Sequence, residues 1–174
     1  MRTEEPPWDE RREIPDLQVR DAADQFDNAR QLLQRQPPGS GVLLPYLNCG
    51  AIALELYMKS LGALSIHTPV HDSLDSAKIT AKAPARAHSL LQLLEEIPDD
   101  FRIKLEDSYS TANPSQNLRV DLETLRGLFS ASRYAYEKDK SIDQYPLELL
   151  NGLCSFLRIY IGGLKSVTRI QWKR

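Results

Sequence analysis

Ala51-Ile-Ala-Leu-Glu-Leu-Tyr-Met-Lys-Ser-Leu-Gly62 carries the strongest structural signal in the chain, because its apolar residues recur at helical spacing. Cys49, Ile52 and Leu56 widen the apolar surface beyond a single stripe. We therefore expect this segment to form the central helix of the domain. The positions that step by three and four through it are Leu44, Leu47, Ala51, Leu54, Met58 and Leu61.

Similar patterns lie on both sides of the central helix. Asp16 is the predicted N-cap of a first helix, which Pro37-Pro38-Gly39-Ser40-Gly41 ends. Short helices are expected over about 84–97 and 101–109, and no stretch alternates with period two for long enough to predict a sheet. The fold class we predict is all-α, an up-and-down bundle of five to six helices. The remaining apolar stripes are Val19, Ala22, Phe26, Ala29 and Leu33; Leu118, Leu122, Leu125 and Phe129; and Leu150, Leu153, Leu157, Tyr160, Leu164 and Val167.

The chain length and composition favour one domain. With 174 residues, 41% of them hydrophobic, the chain is long enough to bury one sizeable core. Residues 1–14 are charged and contain Pro6-Pro7, so we expect a flexible N-terminal arm followed by a single helical domain over 15–174. Residues 65–83 are polar and include Pro69, which predicts a long loop that faces a partner or carries function.

Charge and cysteine content restrict the environment and the partners. The 22 Lys and Arg residues against 24 Asp and Glu residues give a net charge of -2, so the whole molecule does not attract nucleic acid and any RNA contact must be local. Cys49 and Cys154 lie in apolar helical patterns, which is typical of buried thiols in a reducing compartment. No secretory leader or membrane span is recognisable. We expect a cytoplasmic protein without a membrane partner.

The sequence lacks the common motifs for phosphate loops, dinucleotide turns, nucleophile elbows and C-x-x-C redox pairs. His67 and His71 have the spacing of a helical metal pair, but Pro69 between them disfavours a helix and no third ligand accompanies them. We therefore predict no metal site and no cofactor.

Glu55 and Lys59 lie one helical turn apart on the central helix. One interpretation is a solvated ion pair worth about 0.2 to 0.5 kcal/mol. The other is that Glu55 is partly buried in this apolar helix and needs a cationic partner, for which Arg133 is the candidate.

Arg133, Tyr134 and Tyr136 stand where a helix gives way to a polar run. A guanidinium can hold a phosphate through two hydrogen bonds, and tyrosine rings can stack on bases, so these residues are candidates for binding RNA or a nucleotide together with Glu55 and Lys59. The alternative is structural: Arg133 pairs with Glu55 inside the bundle while the tyrosines cover the core.

Three segments together resemble the HEPN family: the E-x-x-x-K helix, Ala87-His-Ser-Leu-Leu-Gln-Leu-Leu94, and Ser132-Arg-Tyr-Ala-Tyr-Glu137. The resemblance extends from about Gln18 to Val167. It implies a small all-helical homodimer associated with RNA or nucleotides. It also implies a place in a toxin-antitoxin or defence system, with an antitoxin or a nucleotidyltransferase that modifies a tyrosine as partner.

The catalytic pattern of the family is not intact in this sequence. HEPN ribonucleases, which are metal-independent endoribonucleases, carry an Arg, a polar residue and then a His about five to seven positions beyond the Arg. Here Arg133 is the candidate catalytic residue, but Tyr134 follows it, Lys138-Asp139-Lys140 occupy the place of the His, and no His follows His88. An exposed Asp is a weak base at neutral pH, so we expect no standard ribonuclease activity. The competing prediction is a non-catalytic protein-protein interaction module.

Overall fold

Seven helices and four strands make up the part of the chain that the computed structural model describes, residues 8–69, 77–82, 89–134 and 145–173. Most of these residues are helical, which confirms the predicted helical bundle. In chain order the elements are β1 (Trp8–Ile14), α1 (Leu17–Gln34), α2 (Leu43–Gly62), β2 (Leu64–Pro69), β3 (Ala77–Lys82), α3 (Leu90–Glu96), α4 (Asp99–Ala112), α5 (Leu118–Thr124), α6 (Leu128–Arg133), α7 (Leu147–Gly163) and β4 (Val167–Lys173).

α1 begins and ends where the sequence predicts. Asp16 is its N-cap, and the Asp16 carboxylate accepts a hydrogen bond from the Val19 backbone N–H at 3.0 Å. The backbone N–H of Asp16 also donates to the carbonyl of Ser60 at 2.7 Å. This bond joins the start of α1 to the last turn of α2, so the two helices form a hairpin.

α2 is the central helix of the bundle, as its sequence pattern predicts. It packs against α1, α3, α6 and α7, and 12 of its 20 residues are buried. α7 provides a second long apolar wall. The buried residues that these two helices contribute include Leu47, Leu54, Met58, Leu61, Leu150, Leu153, Leu157 and Ile161.

A four-stranded antiparallel sheet is the main feature that the sequence analysis missed. Its strand order is β3-β2-β1-β4. Residues 8–14, expected in a flexible arm, form β1, and the expected loop 65–83 contains β2 and β3. The expected end of the last helix is corrected as well, because α7 stops at Gly163 and residues 167–173 form β4. β1 pairs along its whole length with β4, so its strand conformation depends on a partner about 150 residues away rather than on a local pattern.

The predicted helix through 118–129 is divided into α5 and α6. Gly127 lies between them with φ of 78°, a left-handed conformation that favours glycine. The turn changes the direction of the chain. It makes α6 a separate short helix that packs on α2 and ends at Arg133.

Candidate functional site

Glu55 and Lys59 form the predicted pair on α2. Lys59 Nζ donates to Glu55 Oε1 at 2.5 Å. Glu55 is only 9% exposed, so the interpretation of Glu55 and Lys59 as a fully solvated ion pair is wrong. A cation one turn away offsets part of the cost of burying this carboxylate. The prediction that Glu55 is partly buried and has a cationic partner is therefore confirmed, and Lys59 is such a partner.

A small cleft separates Glu55 from the turn between α5 and α6. Its volume is about 40 Å³, which admits water but not a nucleobase. This cleft beside Glu55 is therefore too small for a nucleotide. The lining of the cleft includes Ala51, Leu54, Glu55, Leu90, Phe129 and Ser130.

Arg133 is exposed at the end of α6 and lies against two aromatic rings. Its Cζ is 5.2 Å from the ring centroid of Phe129 and 5.6 Å from that of Tyr134. Such contacts restrict a guanidinium without using up its N–H donors. In the part of the chain that the structure describes, no carboxylate lies within ion-pair distance of Arg133. The expected pair between Arg133 and Glu55 is therefore wrong.

Phe129 connects the two groups of predicted site residues. Its ring contacts Arg133, and it also lines the cleft beside Glu55. In the sequence Phe129 stands out only as part of an apolar stripe, although its spacing of four residues from Arg133 puts both on one helical face. Tyr134 is half-buried, while Tyr136 and Lys138-Asp139-Lys140 lie outside the described residues.

A buried polar network between α1 and α7 is the second notable cluster, and the sequence analysis missed it. Arg30 is 2% exposed and Asp27 is fully buried. Arg30 Nη2 lies 2.7 Å from Asp27 Oδ1, and Arg158 Nη1 donates to Asp27 Oδ2 at 2.9 Å. Two arginines therefore share one buried carboxylate.

The electrostatics of this network favour its charged form. Burial alone would raise the pKa of Asp27, but hydrogen bonds from Arg158 and Arg30 outweigh burial and hold the pKa below its ordinary value. Next to it, Tyr57 donates its hydroxyl to Asp24 Oδ1 at 2.6 Å. Burial, and then this bond to a carboxylate, raise the pKa of Tyr57 well above the ordinary value.

These shifts make the network a structural element. An arginine and an aspartate with a lowered pKa both keep their charge at neutral pH, so neither exchanges protons with a substrate. Burial of this network is not predictable from the sequence, since Asp24, Asp27 and Arg30 look like the solvated face of α1.

The histidines add no metal site to the described part of the molecule. His67 lies in β2 rather than on a helix, and His71 and His88 fall outside the described residues. Within the described ranges, no three His, Cys, Asp or Glu side chains come together as ligands. None of the helices seen there is long and apolar enough to cross a membrane.

Comparison with known proteins returned no matching family model, no matching curated protein and no matching solved structure. The resemblance to the HEPN family therefore rests on the three sequence segments alone.

Proposed function

We propose that this chain is a HEPN-like protein that binds RNA or a nucleotide through Arg133 and lacks the standard ribonuclease activity of the family. The observation that carries the proposal is the position of Arg133. It is exposed, rests on Phe129 and Tyr134, and has no carboxylate partner among the described residues.

This arrangement suits a phosphate ligand. Arginine presents its N–H donors in a planar fork that matches two phosphate oxygens. Because the two rings already restrict the side chain, less conformational entropy is lost when the phosphate binds. Tyr134 and Tyr136 would add stacking to neighbouring bases, and Glu55 with Lys59 would keep the supporting face of α2 in place.

Binding without cleavage follows from the groups that the sequence supplies. Arg133 can stabilise negative charge on a phosphate, but RNA cleavage also needs a group that takes and gives protons near neutral pH. The chain has no histidine after His88. If cleavage occurs at all, we expect a metal-independent endoribonuclease with an unusual base.

The biological setting that we propose follows from the resemblance. The protein would act in the cytoplasm as a homodimer, as part of a toxin-antitoxin or defence system. An antitoxin, or a nucleotidyltransferase that modifies one of the tyrosines, would be its protein partner.

The test is RNA retention and cleavage with total cellular RNA in the presence of a chelator. Wild type is compared with Arg133→Ala and with Arg126→Ala as the matched control. Arg126 is also exposed and lies in the same region, but it is paired with Glu123 at 2.9 Å. We expect retention to fall roughly tenfold in the Arg133 variant alone, as for loss of a charge-assisted contact. Equal RNA retention by all three proteins would reject the proposed binding site. RNA cleavage that depends on Arg133 would reject the proposal that the protein lacks ribonuclease activity.

A protein interaction module is the second candidate, because among the described residues the sheet has two open edges. In that part of the chain β3 and β4 each pair with one strand only, and such an edge can accept an extended segment of a partner. A partner from a cell lysate that stays bound after ribonuclease treatment, and is lost with Thr80→Pro in β3, would favour this candidate over RNA binding.

A further inference from the structure

A groove of about 570 Å³ lies at the turn between α1 and α2, and its lining does not include Arg133. We name it the turn groove. Its volume falls in the usual range of small-molecule sites, about 300 to 1,000 Å³. Its lining combines apolar and polar residues. We call the apolar ones, which include Leu33, Leu43 and Leu147, the walls, and the polar group of Gln34, Tyr46 and Asn151 the floor.

The apolar walls are left partly open to solvent. Leu43 is 45% exposed and Leu147 is 37% exposed, although both belong to long helices of the bundle. The turn that borders the groove has Gly39 at φ of 84° and Gly41 at φ of 75°, so its backbone shape requires glycine at both positions. The groove is therefore shaped by the backbone and is lined by leucines that have incomplete packing.

Arg30 fixes the polarity of the floor. Its Nη1 donates to the Asn151 Oδ1 atom and, at 3.4 Å, to the Gln34 Oε1 atom. A guanidinium has only donors, so the Asn151 amide must turn its oxygen toward Arg30 and its NH2 group away from it. Gln34 has the same orientation through its longer contact. Tyr46 strengthens this orientation, since its hydroxyl donates to the same Asn151 oxygen at 2.6 Å.

The position of Arg30 is itself fixed. Asp27 accepts from Arg30 Nε at 2.8 Å, and the side chain is almost fully buried. Gly50 makes room for it, because a Cβ at that position would lie 3.0 Å from Arg30 Cδ. The orientation of the Asn151 amide is therefore set by a buried group, whereas Gln34 is itself exposed.

The floor consequently presents hydrogen-bond donors to the groove. Among the described residues, no acceptor pairs with the amide nitrogen of Asn151 or with that of Gln34. The first turn of α2 adds to this pattern, because its N-cap Val42 lines the groove and no side chain of the described chain caps it. Backbone N–H groups at a helix start have no intrahelical acceptor.

We infer that the turn groove binds a small apolar monocarboxylic acid. The carboxylate accepts hydrogen bonds from the amides of Asn151 and Gln34, and the apolar chain lies against Leu33, Leu43 and Leu147. This inference does not depend on the proposed RNA function. It also does not rely on an unpaired cation, since Arg30 and Arg158 are matched by Asp24 and Asp27.

The test is titration calorimetry of the full chain with octanoate, octanamide and 1-octanol. All three offer the same chain, and only octanoate offers two acceptors and a negative charge. We expect octanoate to bind roughly tenfold more tightly than 1-octanol. Equal affinity for the three compounds, or no binding of octanoate, would overturn the inference. Tighter binding of a peptide with a C-terminal leucine would overturn it too, since the groove would then be built for a protein terminus.

Asn151→Asp provides the sharpest variant. It keeps an oxygen for Arg30 and Tyr46 but replaces the outward NH2 group by a second carboxylate oxygen, which repels the ligand. Asn28→Asp is the matched control, because Asn28 accepts from Arg158 at 2.7 Å and does not line the groove. We expect octanoate binding to fall roughly tenfold in Asn151→Asp and to persist in Asn28→Asp, while 1-octanol binding is equal in both. Octanoate binding that is unchanged in a folded Asn151→Asp variant would contradict the assignment.

Discussion

Arg30 and Asp27 form an ion pair inside the bundle, 2.7 Å apart and shielded from solvent on both sides. A third charged group, Arg158, reaches the same carboxylate from α7. Arg30 and Asp27 belong to α1 and Arg158 belongs to α7, so the shared carboxylate of Asp27 links the packing of the two helices.

Removing the shared carboxylate should destabilise the protein strongly. Asp27→Ala leaves the buried Arg30 without its anion, and breaking a buried pair in this way costs about 3 to 5 kcal/mol. The free energy of unfolding in urea measures the loss. The control is Asp21→Ala, which removes an exposed partner of Arg20 and should cost less than about 1 kcal/mol. Similar losses of unfolding free energy in the two variants would show that the buried ion pair stabilises the protein no more than the exposed one.

The lowered pKa of Asp27 predicts a loss of stability in acid. The folded state binds the Asp27 proton more weakly than the unfolded state, whose pKa is near the ordinary 3.8. The contribution is therefore complete above that value and disappears as the pH falls through the lower pKa of the folded state. The free-energy difference between wild type and Asp27→Asn should be constant above about pH 5 and should shrink below about pH 4. A difference that stays constant into acid would contradict this assignment.

Two glycines in helix interiors should respond oppositely to alanine. At Gly50 a new Cβ would lie 2.9 Å from Leu150 Cδ2, so Gly50→Ala should destabilise the protein by about 1 to 3 kcal/mol despite its better helix propensity. At Gly152, also within a helix, no such atom of the described residues lies within 4 Å, and Gly152→Ala should stabilise by up to about 1 kcal/mol. Thermal unfolding of both variants provides the measurement, and a stabilised Gly50→Ala would show that Leu150 and Arg30 can move aside.

The helices were predictable because their signals are local. The cap at Asp16 and the apolar steps through Leu54 and Met58 lie within a few turns of each other. The sheet was not predictable in this way. Ile14 is in a strand because it pairs with Val167, which lies in a distant part of the sequence.

The candidate site was predictable only in part. Spacing alone allowed Glu55 to pair with either Lys59 or Arg133, and the turn at Gly127 sets where α6 and its last residue, Arg133, lie. The Asp27 network could not be seen at all, because burial of a polar helix face depends on which helix packs against it.

The proposed RNA contact predicts a role for the two aromatic rings beside Arg133. These rings should strengthen RNA binding by supporting the guanidinium, without contacting the phosphate themselves. Phe129→Leu keeps an apolar side chain against α2 but removes the aromatic face on which the guanidinium rests. A cation-π contact of about 0.5 to 1 kcal/mol corresponds to roughly a two- to fivefold loss of RNA retention. Phe156→Leu is the matched control, because Phe156 packs edge-on against Tyr109 at 4.9 Å between ring centroids. Filter binding with labelled RNA compares the two. Equal losses would mean that general loosening of the bundle, and not the support of Arg133, weakens binding, whereas a loss confined to Phe129→Leu would place the phosphate contact at the end of α6.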